Sequence, residues 1–134
     1  MILQDKRIFI VEDTPAHSFL MMQLLRQHGA QVIVDNIAEG DPHLALRAGP
    51  LDAIILDYML PGGGSGIDLF HALRELEAFQ AIPCVMVSSA DIGHLLPQVR
   101  AAGMNGLIPK PIQIADFPQQ IARIIAGESV WPNH

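Results

Sequence analysis

A chain of 134 residues has room for a real hydrophobic core and fits one domain of ordinary size. Half of its residues are hydrophobic, which excludes disorder, and a net charge of −6 with only eight lysines and arginines excludes the basic face that direct nucleic-acid binding requires. The one cysteine, Cys84, rules out an intrachain disulfide and fits a reducing compartment, and no apolar run nears the ~18 residues of a membrane span. The charges before Arg7 precede a strand too short for a signal-peptide core, so the expectation is a soluble, cytoplasmic protein that binds neither nucleic acid nor membrane.

Arg7 to Val11 is a β-rich run ending in Glu12-Asp13-Thr14-Pro15. Asp13 or Thr14 caps the next helix, with Pro15 in its first turn. Phe19, Leu20, Met22, Leu24 and Leu25 give that helix its apolar positions, and Gly29 stops it near His28. Gln31 to Asp35 reads as a second strand. A helix over 38–48 follows, with Pro42 in its first turn, Leu44 and Leu46 among its apolar positions and Gly49-Pro50 at its end. Leu51 to Asp57 is an apolar run closed by a carboxylate, as suits a strand buried on both faces. Pro61 and Gly62 to Gly66 then enforce a turn.

Ile67 to Phe79 predicts a helix with Leu69, Phe70, Leu73 and Leu76 on one stripe. Ile82 to Ser88 predicts the fourth strand. A helix over 92–102 is broken by Gly103, and Pro97 implies a later start or a kink. Gly106 to Pro109 is a brief fifth strand with Lys110-Pro111 directly after it. The last helix spans 113–126, its regular part beginning near Asp116 because of Pro118. The tail, 128–134, is too short for a second domain. The expectation is one domain over 1–134 with its core at about 5–126.

Five strand–helix repeats with short connections predict an α/β fold: a five-stranded parallel sheet with helices on both faces. Each strand is then followed by chemistry: Glu12 and Asp13 after the first, Asp57 after the third, Ser88 after the fourth, Lys110 after the fifth. The strand order 2-1-3-4-5, borrowed from known doubly wound folds, makes the first and third strands neighbours and joins the carboxylates at the switch point. Carboxylates ~4 Å apart repel by roughly 4 kcal/mol at an effective dielectric of about 20. A proton or a cation must relieve them, and hard oxygen ligands with few protein donors suit Mg²⁺. Lys110 opposite and the Ser88 hydroxyl complete a set able to orient and neutralise a phosphoryl group moving onto Asp57.

Glu12-Asp13, Asp57 with Leu60-Pro61, Ser88-Ser89 and Lys110-Pro111, in that order and each after a strand, resemble the receiver domain of two-component response regulators, a flavodoxin-like fold. The resemblance covers about residues 5 to 126. It implies that Asp57 accepts a phosphoryl group from a histidine kinase or a phosphotransfer protein of a phosphorelay. It implies that Asp13, Asp57 and the Met59 carbonyl bind Mg²⁺ and that Glu12 helps directly or through water. Ser88 would bind a phosphoryl oxygen and Lys110 would pair with the phosphoryl group, with a cis peptide to Pro111. It further implies a module that assists its own phosphorylation and dephosphorylation rather than a multiple-turnover enzyme. Its readout, through the fourth helix, fifth strand and fifth helix, would reach a downstream effector, and a homodimer through that face is a further expectation. Two departures stand out. Leu107 occupies the place where the family has an aromatic residue, and Gly66 lies nine residues after Asp57 where the family's glycine lies eight after.

Each residue also has a plainer reading: a cap for Asp13, a polar strand end for Ser88, a surface charge for Lys110, core packing for Cys84. The six histidines show no ligand spacing, and His17 and His94 read as surface residues near strand-end loops. The glycine run lacks the Gly-Lys-Ser/Thr of a phosphate-binding loop. A flavodoxin-type FMN binder needs phosphate donors where this chain has Glu12-Asp13. A phosphate-transferring hydrolase needs an Asp-x-Asp pattern after the first strand. A receiver that only binds partners and is not phosphorylated remains the main alternative.

Overall fold

The computed structural model describes residues 1–132; Asn133 and His134, the last two residues of the tail named above, lie outside the described residues. Five parallel strands form one sheet in the order β2-β1-β3-β4-β5. They are β1 Arg7–Val11, β2 Gln31–Asp35, β3 Ala53–Leu56, β4 Cys84–Ser88 and β5 Gly106–Pro109. The helices are α1 Pro15–Arg26, α2 Pro42–Arg47, α3 Gly66–Arg74, α4 Ile92–Ala102 and α5 Phe117–Ile125. Parallel strands need crossovers, and α1 to α4 supply the four between the five strands, with α5 following the last.

Side chains alternate across a strand, so one sequence feeds two cores. On one face Ile8, Ile10, Ile55, Val85 and Ile108 pack with Leu24 and Leu25 of α1 and Phe117, Ile121 and Ile124 of α5. On the other, Phe9, Ile54, Leu56 and Met86 pack with Leu69, Phe70 and Leu73 of α3 and Leu95, Leu96 and Val99 of α4. Both faces of β3 and β4 are therefore covered, and all nine of their residues are buried. Cys84 lies in this interior, where burial pushes its thiol up to about 12 against the opposing pull of Arg74.

Several expected boundaries move, each for a local reason. The helix expected over 38–48 is Pro42–Arg47. Asp35 Oδ1 accepts from the Ile37 and Ala38 amides, Ala38 is at φ 54° and Gly40 at φ 85°, so the chain turns until the Asp41 side chain caps α2. The helix expected over 67–79 divides into α3 and a 3-10 turn at Glu77–Phe79. Ser65 and Asp68 form a reciprocal capping box that starts α3 one residue early. α4 begins at Ile92 despite Pro97. Gly93, whose carbonyl lacks a Pro97 amide to bond, is exposed, as is Pro97 itself, so water can take that carbonyl. On α1, Phe19 points outward and is 56% exposed, while Met21 and Ser18 are buried instead.

The segment after α5 does not trail away. Val130 pairs with Gly106 as a single parallel bridge beyond β5. Its carbonyl accepts from the Leu107 amide at 2.9 Å and its amide donates to the Asn105 carbonyl at 3.1 Å. Gly106 permits this approach, since a Cβ there would run into the Val130 carbonyl. Val130 is buried, and the Trp131 ring lies under the Arg100 guanidinium at 4.9 Å.

Candidate functional site

Glu12 and Asp57 follow neighbouring strands, β1 and β3, whose registers align Val11 with Leu56. The Asp57 amide donates to the Val11 carbonyl at 3.2 Å, and the Glu12 amide donates to the Asp35 carbonyl at 3.1 Å. Backbone pairing thus runs one residue beyond the named ends of β1 and β3 and fixes both carboxylates at the same edge. Asp57 is further held by its own loop, as its Oδ1 accepts from the Tyr58 amide at 2.7 Å. Carboxylate oxygens of Glu12, Asp13 and Asp57 lie within 4.8 Å of one another.

Lys110 enters from β5. Its amide donates to the Ser88 carbonyl at 2.8 Å, and the peptide bond to Pro111 is cis. The ammonium donates to Glu12 Oε1 and, at 3.2 Å, to Asp57 Oδ2. Both ends of this bridge are largely withdrawn from water, with Glu12 only 1% exposed.

Glu12 is the electrostatically costly member. Burial pushes its carboxyl above the ordinary range, and the neighbouring Asp57 carboxyl pushes in the same direction, while Lys110 pulls it back. Its Oε2 is buried and has no hydrogen-bond partner among the described residues. A buried carboxylate oxygen left unpaired is expensive. The donor set, with three acidic side chains and one oxygen lacking a partner, fits a hard divalent cation.

Ser88 closes β4, is 3% exposed, and accepts from the Ala90 amide through Oγ at 3.1 Å. It stands at the same sheet edge, with its hydroxyl engaged in its own loop. The Met59 side chain is 73% exposed, and its backbone is pinned by an antiparallel bridge to Ser65. The additional loop residue before Gly66 is absorbed in a closed turn: a 3-10 segment at Pro61–Gly63, with the Leu60 amide donating to the Gly64 carbonyl at 3.3 Å. Leu107 is buried in the core beside α4. Pro109 lies in the last named strand of the sheet, where a missing amide is tolerated.

One neighbour escaped the reading of the sequence. His17 is half exposed, as expected of a surface residue, yet its Nδ1 lies 3.0 Å from Lys110 Nζ and 3.3 Å from Glu12 Oε1. The available signal was its place in the first turn of α1, directly after the acidic pair. His94 sits on exposed α4 surface, its ring nitrogen against the Gln98 amide.

The family model described as the response regulator receiver domain matches residues 8–122. The chain is 30% identical to the chemotaxis protein CheY of Pseudomonas aeruginosa over 122 residues, covering 88% of this chain and 94% of that protein. It is 28% identical to the chemotaxis protein CheY-3 of Vibrio cholerae over 125 residues, covering 90% and 92%. Among solved structures, the chemotaxis response regulator CheY4 of Vibrio cholerae shares the fold with a TM-score of 0.78 at 20% identity, covering 90% of this chain and 99% of that one. The chain belongs to the response regulator receiver domain family.

Proposed function

We propose that the chain is a phospho-accepting receiver of a two-component or phosphorelay system, with Asp57 as the acceptor. The observation that carries this reading is the Asp57 carboxylate held between two acidic neighbours and the Lys110 ammonium. The donor is a phosphohistidine on a kinase or phosphotransfer protein. An Asp57 oxygen attacks phosphorus, an O–P bond forms as the N–P bond breaks, and the imidazole leaves with the electron pair. Lys110 transfers a hydrogen bond from Asp57 to a phosphoryl oxygen and offsets the charge that develops there. Ser88, once released from the Ala90 amide, donates its hydroxyl to another phosphoryl oxygen.

Mg²⁺, when bound, neutralises phosphoryl charge and fixes the geometry of transfer. Asp13, Asp57 and the Met59 carbonyl would hold it, with Glu12 contributing the oxygen that lacks a partner. The chain assists its own phosphorylation and dephosphorylation, and its output is a change in affinity for an effector protein. Because Leu107 replaces an aromatic side chain, that change is carried by the backbone and helices around β5 rather than by rotation of a ring at that position.

The test is incubation with acetyl phosphate and Mg²⁺. An acid-stable, hydroxylamine-sensitive adduct on the wild-type chain, absent from Asp57→Asn, is the expected result. Equal labelling of both proteins, or of neither, overturns the reading.

A further inference from the structure

Lys110 has three ammonium donors and, among the described residues, three side-chain partners. Two are Glu12 Oε1 and Asp57 Oδ2; the third is His17 Nδ1 at 3.0 Å. An ammonium only donates, so the hydrogen bond uses a lone pair on Nδ1. With its proton on Nε2 the ring accepts from the ammonium through Nδ1, and Glu12 Oε1 lies 3.3 Å from the same nitrogen.

The histidine is placed by its helix. Pro15 sets the first turn of α1, and the His17 amide donates to the Thr14 carbonyl at 3.0 Å. Beside it lies a pocket of about 100 Å³ lined by His17, Leu20, Met21, Lys110, Pro111 and Ile112. Its four other members are apolar and give the ammonium no alternative side-chain acceptor on that side.

The three anchors are not equivalent. Glu12 and Asp57 belong to the acidic cluster, whose oxygens are drawn onto a cation when one binds. His17 lies outside that cluster. Accepting through Nδ1, its ring restrains the ammonium without reducing its charge or repelling an incoming phosphoryl anion. We propose that His17 is a positioning residue, which keeps the Lys110 ammonium beside Asp57 when the carboxylates are committed to the cation. The inference rests on the reading of Asp57 as a phosphoryl acceptor.

The experiment uses the full chain with Mg²⁺, with beryllofluoride as the probe and acetyl phosphate labelling alongside it. His17→Ala removes the acceptor. His17→Asn restores one, since its Oδ1 occupies the place of Nδ1. His17→Ala is expected to weaken beryllofluoride binding and slow labelling roughly tenfold, the size of one hydrogen bond to a charged group, with Mg²⁺ affinity and thermal midpoint unchanged. His17→Asn is expected to recover most of both losses. Wild-type behaviour in His17→Ala, or no recovery in His17→Asn, overturns the positioning role while leaving the acceptor reading intact. Nitrogen NMR of the His17 ring, without any phosphoryl donor, reads the contact by itself: Nδ1 is expected to shift in Lys110→Met. A shift there, with no beryllofluoride binding or labelling in the wild type, overturns the acceptor reading and the positioning role together. No shift there removes the hydrogen bond on which the positioning role stands.

Discussion

Gly66 is pressed against the backbone of Asp57: a Cβ at position 66 would run into the Asp57 carbonyl, and the Gly66 amide donates to the Tyr58 carbonyl at 2.7 Å. The obstacle is backbone, so no side chain can swing aside to make room. Gly66→Ala is expected to cost about 1–3 kcal/mol in urea unfolding, as overpacking a tight site does. Because the shifted backbone is that of the acceptor, acetyl phosphate labelling should fall as well. Gly64→Ala, where an added Cβ meets nothing within 4 Å, is the control and should leave labelling intact.

The raised Glu12 carboxyl makes stability depend on pH with a definite sign. Burial, followed by the Asp57 carboxyl, lifts its folded value above the ordinary 4.5. Between those two values the folded state binds more protons than the unfolded one. The stability this group contributes is fully present below about pH 4.5 and is lost as pH rises through the folded value. Urea melts from pH 5 to 8 should show a downward slope in the wild type that is reduced in Glu12→Gln. Mg²⁺ should release a proton on binding near the folded value, measurable by titration calorimetry in buffers of different ionisation enthalpy.

Lys110 offsets the acidic cluster, and its removal should be felt in two opposite ways. Lys110→Met leaves Glu12 and Asp57 without their cation, which should cost about 1–3 kcal/mol without metal, less than a fully buried pair because the site borders solvent. The same loss deepens the negative potential, so Mg²⁺ should bind several-fold more tightly and recover much of the stability. Thermal unfolding across a series of MgCl₂ concentrations measures both. A variant whose stability is indifferent to Mg²⁺ would count against cation binding at this cluster.

Met59 and Ala90 stand two residues beyond Asp57 and Ser88. The Met59 side chain is exposed, and the Ala90 amide donates to the Ser88 hydroxyl at 3.1 Å. Charged or bulkier replacements at Met59 should change the decay rate of the phosphorylated protein several-fold while stability stays within ~0.5 kcal/mol, as is usual for exposed positions. Unchanged decay in a timed phosphate-release assay would show that the Met59 side chain does not influence hydrolysis of the phosphorylated form.

How far the chain discloses itself varies with the kind of signal. The first, second and fifth strands keep the bounds read from the sequence, because apolar runs closed by carboxylates, proline or glycine leave little choice. The acidic edge follows once the strand order is known, yet that order came from related folds rather than from hydrophobic pattern. Local hydrogen bonds defeated the helix boundaries: no periodicity reveals that Asp35 will bind the amides of Ile37 and Ala38 and delay α2. Phe19 misled because size and hydrophobicity suggested burial, whereas the face α1 turns to the sheet carries Ser18, Met21, Leu24 and Leu25. His17 was overlooked for a related reason: Lys110 is 93 residues away, and a contact at that separation leaves no trace in spacing.

The Val130 bridge has a consequence for assembly. The last named strand of a sheet ordinarily offers unpaired amides and carbonyls to any extended chain that passes. Here the Leu107 amide and the Asn105 carbonyl are already taken, and the indole of Trp131 stacks across the rim under Arg100. A visitor to that side meets side chains rather than a row of backbone groups, and recognition there must be by shape and charge. Zippering a foreign strand onto the fold would first require residues 128–131 to peel away.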